Sequence, residues 1–160
     1  MTTKYQGTPE DVRALDAYIK LSRAAESVFD RINARLPEYD LTTTQFAALE
    51  ALYHLGTLSQ VVLAAKLLKS TGNITTVLQN LEKRGLIERE RRPDDQRVVQ
   101  VSISERGRAL ISAMFPAHVA RVVEAFAVLT AEEQATLARL CRKLGTAQAA
   151  HREPARAEID

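Results

Sequence analysis

Between residues 70 and 84 the sequence STGNITTVLQNLEKR sets Ile74, Val77, Leu78 and Leu81 at helical spacing. The other face is left to Ser70, Thr71, Asn73, Thr75, Thr76, Gln79, Asn80 and Lys83. These are short or planar donors and acceptors suited to nucleobase edges: Asn and Gln pair adenine bidentately, Thr meets a phosphate or a thymine methyl, and Lys meets phosphate. A generic solvated helix would carry more Glu and Lys, and here only Glu82, Lys83 and Arg84 fit that description. A second cluster follows in RGLIERERRPDDQRVVQVSISERG, where arginines and aspartates sit between two short alternating apolar runs. Asp95 and Arg97 are two apart, so on a strand both side chains leave one face and the carboxylate can orient the guanidinium. A narrow minor groove is strongly negative and favours an inserted arginine, so Arg91, Arg92 and Arg97 are the candidates at a tip stiffened by Pro93. Lys66, Lys69 and Arg84 are expected at the DNA backbone.

Catalytic chemistry finds little here. His54, His118 and His151 fall on separate elements, and HExxH, CxxC and Gly-rich phosphate loops are absent from the sequence. Neither a metal site nor a cofactor is expected, and the chain is not read as an enzyme. The single cysteine, Cys141, excludes an intrachain disulfide framework. Its spacing to Leu137, Leu140 and Leu144 places it on or beside an apolar helix face, where a buried thiol is ordinarily inert. A redox response through a Cys141 disulfide between two chains is the alternative.

The elements that must carry these clusters follow from period and punctuation. Thr8-Pro9 opens a long helix over 9–36 with Leu15, Tyr18, Ile19, Ala25, Phe29, Ile32 and Leu36 as its apolar set. Thr42 and Gln45 form a capping box for a helix to Leu55, which Gly56 ends. Thr57 and Gln60 repeat the device before the short helix VVLAAKLL, and Ser70 or Thr71 then caps a helix that stops at Gly85. After Gly85 the period changes to two, so the wing is a β-hairpin turning through RPDDQ. Ser104 caps a helix bearing Leu110, Ile111, Met114, Val119, Val122, Val123 and Phe126, with Pro116 as a candidate bend. Thr130 and Glu133 open the last helix.

A chain of 160 residues with 46% hydrophobic and 26% charged content is the size of a single globular domain. Apolar runs such as ALISAMF are far shorter than a membrane span, and with no export signal at its N-terminus the chain is expected to be cytoplasmic, with no membrane partner. Residues 57–104 hold eight basic and five acidic side chains, a local +3 that offers a modest footprint for a polyanion. Short helix, tight turn, polar-faced helix and hairpin is the winged helix-turn-helix order, in which the second helix enters the major groove. The fold expected is mainly α with a small β-hairpin wing, in one domain over 1–160. Residues 42–104 form the DNA-binding lobe, 9–36 and 105–147 form dimerisation helices too apolar for a monomer's rim, and 148–160 are a polar tail.

With those elements in place, LAAKLLKSTGNITTVLQNLEKRGLIERERRPDDQRVVQVSISERGRAL strongly resembles the MarR family of bacterial transcriptional regulators. Its most specific parts are LEKRGLI at 81–87, the Asp95-x-Arg97 motif and the following VSISERG. The resemblance implies a homodimer that binds pseudopalindromic double-stranded DNA, commonly as a repressor released by a small aromatic or phenolic effector or by cysteine oxidation. It places the recognition helix on Ser70 to Arg84, the wing arginine at Arg97, and an effector site near Tyr39, Tyr53 and His54. Redox-sensing members typically carry their cysteine near the N-terminus, where this chain has none. Leu68-Lys69 stands where the family often has Gly-apolar, Gln96-Arg97 where it often has Arg-Arg, and Ile103-Ser104 where it has Leu-Thr. A winged helix used only as a protein-interaction adaptor is the other alternative, and its recognition face would be apolar or acidic.

Overall fold

A computed structural model describes residues 4–150, apart from the side chains of Thr71 and of residues 148–150. The chain divides into two compact units, Met1–Arg121 and Val122–Asp160. The first contains α1 (Pro9–Asn33), a 3-10 turn (Leu36–Tyr39), α2 (Thr43–Leu55), β1 (Leu58–Ser59), α3 (Gln60–Lys66), α4 (Thr71–Lys83), β2 (Ile87–Arg91), β3 (Val99–Ile103) and most of α5 (Glu105–Phe126). The second takes the end of α5 and α6 (Ala131–Ala150). The polar tail expected over 148–160 lies outside the described residues, save for the backbone of 148–150, which is helical.

Local chemistry accounts for most of the boundaries. Thr8 accepts from Asp11 N–H while the Asp11 carboxylate accepts from Thr8 N–H, a reciprocal cap that opens α1. Helix α1 stops at Asn33 rather than running to Leu36: the Asn33 amide donates to the Phe29 carbonyl at 2.8 Å, and Pro37 lies just beyond. Thr42 and Gln45 cap α2 reciprocally, as their spacing predicts. In the next segment Ser59, not Thr57, caps α3, and Gln60 does not reach back. Leu58 and Ser59 are extended because they pair with Val101 and Gln100, adding a third strand to the expected hairpin in the order β1-β3-β2. The two-residue strand is too short to show a period of its own.

The α3–α4 turn closes through Leu68 N–H to the Ala65 carbonyl and Lys69 N–H to the Ala64 carbonyl. Leu68 adopts φ 53° there, the left-handed conformation that glycine takes without penalty, and its side chain is exposed. The departure from Gly-apolar thus leaves the backbone of the turn intact.

The core of the first unit is drawn from every layer around α4. Leu49 and Leu52 of α2, Leu63 of α3, Ile74, Leu78 and Leu81 of α4, Ile87 and Val101 of the sheet, and Ile111 and Met114 of α5 are fully or almost fully buried. Helix α5 is long and apolar enough, by length and composition, to cross a membrane, although no unbroken apolar run reaches that length. Its Ile111 and Met114 belong to this core. It continues through Pro116 as one helix. In the second unit Thr130 and Glu133 cap α6, and the Gln134 amide donates to the Phe126 and Leu129 carbonyls at 3.1 Å each. Cys141 is exposed, contrary to the buried placement expected.

Where α5 meets the wing, a side chain has no room. A Cβ built on Gly107 would stand 2.1 Å from the Leu86 carbonyl oxygen. Gly107→Ala is expected to lower unfolding stability by about 1–3 kcal/mol, the range for overpacking a tight site. A urea titration of parent and variant checks it, and an unchanged midpoint contradicts the contact.

Candidate nucleic-acid interface

Helix α4 is seated by its apolar side. Ile74, Leu78 and Leu81 enter the core with Val77 partly covered, and the Ser70 hydroxyl caps the first turn by accepting from Asn73 N–H at 3.3 Å. At 100° per residue, Asn73, Thr76, Gln79, Asn80 and Lys83 then fall within an arc of about 120° opposite the core. All five are exposed. Lys69, Asn73, Thr76, Val77 and Thr44 line a shallow depression of about 390 Å³ beside this arc. Lys66 is exposed at the end of α3. Thr71 opens α4 by its backbone, and its side chain lies outside those described.

Two of the expected contact residues are engaged elsewhere. Thr75 is half-buried at the edge of the arc, and its hydroxyl oxygen accepts from the Gln60 amide at 2.7 Å. Arg84, expected at a phosphate, donates to the carbonyls of Asp40 and Tyr39, the latter at 3.1 Å, and so fastens the end of α4 to the segment before α2. That role follows from position: the α4 cap brings Arg84 to the loop where Asp40 turns left-handed at φ 52°.

The wing is held to α4 by residues that the sequence made look ordinary. Arg89 on β2 donates through Nε to Glu82 Oε2 at 3.0 Å and through Nη2 to the same oxygen. Its side chain is only 20% exposed, so this pair is better shielded than those at the tip. Seven residues separate the partners, and the turn at Gly85, φ 67°, folds them together. Behind them the Ser104 hydroxyl donates to the Gly85 carbonyl at 2.7 Å and accepts from Gly107 N–H at 3.1 Å. Ser replaces the family's Thr here without loss of the hydroxyl.

At the tip Asp95 and Arg97 lie in the turn itself, not on a strand. Asp95 Oδ1 accepts from the Arg97 backbone N–H at 3.0 Å and from its Nε at 3.3 Å. The carboxylate therefore aims the guanidinium, whose side chain is 93% exposed. Arg92 is held differently, by Asp94 through Nε at 2.9 Å and through Nη2. That guanidinium keeps the Asp94 carboxyl below the usual carboxylate range. Arg91 reaches the Gln96 carbonyl at 3.4 Å, so the tip presents three exposed cations, Arg97 standing further out than Arg92.

Of the residues expected near an effector, Tyr53 and His54 fall together in the first unit. Tyr53 and His54 meet edge to face at 5.0 Å between ring centres, and His54 contacts Phe115 of α5 at 4.9 Å. Phe115 and Phe46 flank His118 at 6.1 and 4.5 Å. Tyr39 packs against the core from the 3-10 turn. His118 is the residue that spacing did not reveal: it is buried, and its Nδ1 has no hydrogen-bond partner among the described residues. Burial, with Arg121 nearby, depresses its pKa below the ordinary value of 6.5.

A three-stranded wing packed on a helix-turn-helix, with a polar second helix and an exposed arginine at the tip, is the architecture of a winged-helix DNA-binding protein. The chain belongs to the MarR family: residues 41–99 match that family, and its relatives extend over most of the length. It is 35% identical over 133 residues to the HTH-type transcriptional regulator MhqR of Bacillus subtilis (strain 168), covering 83% of this chain and 92% of that one. Among solved structures, BpsR of Bordetella bronchiseptica, described for regulation of its DNA binding by 6-hydroxynicotinic acid, superposes with a TM-score of 0.73 at 27% identity. That match covers 81% of this chain and 98% of BpsR. NadR in complex with 4-hydroxyphenylacetate gives 0.72 at 25% identity, over 84% and 98%. The protein is a DNA-binding transcriptional regulator.

The His118 environment sets a pH dependence. Its folded pKa lies below the unfolded one, so its neutral burial contributes fully above about pH 6.5, and stability falls as pH drops below that value. Glu50, whose pKa burial raises, acts in the opposite sense, gaining stability as pH falls. Comparing His118→Gln with the parent isolates the histidine. The parent is expected to lose more stability than the variant between pH 7 and pH 5 in denaturant titrations, and parallel curves contradict it.

Proposed function

We propose that this regulator acts as a homodimeric repressor of a pseudopalindromic operator, with α4 of each protomer in successive major grooves and Arg97 of each wing in the flanking minor groove. The observation that carries the reading is the exposed Asn73–Thr76–Asn80 arc on one side of the lobe together with an Arg97 held outward by Asp95. Half-sites would lie about 34 Å apart, one helical turn. Exposed apolar side chains support pairing of two chains: Tyr18 and Phe29 on α1 in one unit, and Leu137, Leu140 and Leu144 on α6 in the other. Such residues are costly to leave in water on a monomer.

The effector is read as a small aromatic acid or phenol. The compounds named with BpsR and NadR both join a hydroxylated ring to a carboxylate. Tyr53, His54 and His118, whose Nδ1 is unpaired among the described residues and which has Arg121 beside it, offer rings and donors of the matching kind. Tyr39, which packs against the core from the 3-10 turn, is kept as a candidate. The polar, cation-flanked face of α4 favours DNA over a protein-adaptor role.

Selection from a random duplex library with purified protein tests the proposal. A twofold-symmetric motif is expected, with affinity falling steeply as salt rises because neutralised phosphates release counterions. Arg97→Ala should weaken the selected site about tenfold or more, most where the minor groove is narrow. Enrichment of no motif by a folded protein, or equal binding by parent and Arg97→Ala at fixed salt, overturns it.

A further inference from the structure

Helices α3 and α4 meet through apolar side chains of the core and through one polar contact at its edge. Leu63 and Ala64 on α3 and Ile74 and Leu78 on α4 share one apolar core, and such contacts are non-directional. A directional link between them is the amide of Gln60, the first residue of α3, donating to the Thr75 hydroxyl oxygen at 2.7 Å across fifteen positions of sequence. It is half-buried, so water competes with it less than at a fully exposed site. Thr75 sits at the border between the buried side of α4 and the Asn73–Thr76–Asn80 arc. Gln60 also lines, with Arg97 and Val98, a depression of about 240 Å³ beneath the wing tip. One side chain therefore touches the helix expected in the major groove and borders the residue expected in the minor groove.

We propose that Gln60 is a positioning residue for DNA recognition, acting through Thr75 to fix the rotation of α4 and hence which base edges its polar arc meets. The inference rests on the DNA-binding reading. Side-chain tips stand about 5–6 Å from a helix axis, so a rotation of about 20° displaces them by about 2 Å. That exceeds the width of the hydrogen-bonding range between donor and acceptor, about 0.5 Å. Base discrimination should suffer from a loosened α4 while phosphate contacts, longer-ranged and less angular, persist.

The experiment uses the full-length protein and the duplex selected with the parent. Affinity is measured for that site and for a scrambled duplex, for the parent, Gln60→Ala, Thr75→Val, Thr75→Ser and the Gln60→Ala/Thr75→Val double variant. The ratio of the two affinities is expected to fall about three- to tenfold in Gln60→Ala and in Thr75→Val, with the double variant no worse than either single one. Thr75→Ser, which keeps the hydroxyl, should retain the parental ratio. The dependence of affinity on salt should keep its parental slope. An unchanged ratio in Gln60→Ala overturns the proposal, as do single effects that multiply in the double variant. Affinity lost equally for both duplexes in Gln60→Ala also overturns it, assigning the amide to a phosphate instead. If the parent selects no duplex at all, the DNA-binding reading fails first, and that failure is distinct from these.

Discussion

The close approach of Gly107 to the Leu86 carbonyl is the constraint on which the rest of the lobe depends. The backbone leaves α4, turns at Gly85 and enters β2 within four residues, so the placement of that turn decides where the wing stands relative to the recognition helix. The Ser104 hydroxyl holds the turn from behind by its bond to Gly85, and Gly107 lets α5 come near enough for that bond to form. The Glu82–Arg89 pair completes the junction on its outer side. Three short-range contacts of different kinds thus converge on one carbonyl-rich corner, and α5, α4 and the sheet are oriented together.

Most of the helices were legible because their ends are written in side chains that act locally. Thr8, Thr42, Ser70 and Thr130 each accept from a backbone N–H three residues on, and each stands at a helix start that the sequence announces. The hairpin was legible from its period and its Pro-Asp-Asp turn. What escaped was set by distant partners. Leu58 and Ser59 are a strand only because β3 passes alongside, and Thr57 had the same composition signal as the real cap. In the candidate site the exposed arc and Arg97 could be read from periodicity and type. Arg84, Gln60, Glu82 and His118 could not: a guanidinium on two carbonyls, an amide on a threonine, an ion pair and an orphaned imidazole are all products of tertiary proximity.

Two kinds of charge are distributed over the lobe with different jobs. Shielded or bonded cations, Arg89 and Arg84, fasten elements together, whereas Lys66, Lys69 and Lys83 remain exposed to water. Coulomb attraction to a polyanion acts over roughly a Debye length, about 8 Å at physiological ionic strength, so the exposed group governs encounter while the bonded group governs shape. Sequence counting assigns all of them the same +1. Geometry separates them.

The wing tip closes on itself. Arg92 N–H bonds the Val98 carbonyl, Val98 N–H bonds the Asp95 carbonyl, the Gln96 amide reaches the Arg92 carbonyl, and Asp95 takes the Arg97 backbone N–H. A loop so cross-linked has already surrendered its conformational freedom when the chain folds, and little ordering remains to oppose docking. A limp basic loop would lose that freedom on each encounter with a duplex; this one arrives with its shape already set. Its contribution should therefore be felt in how long the protein stays on DNA more than in how readily it arrives.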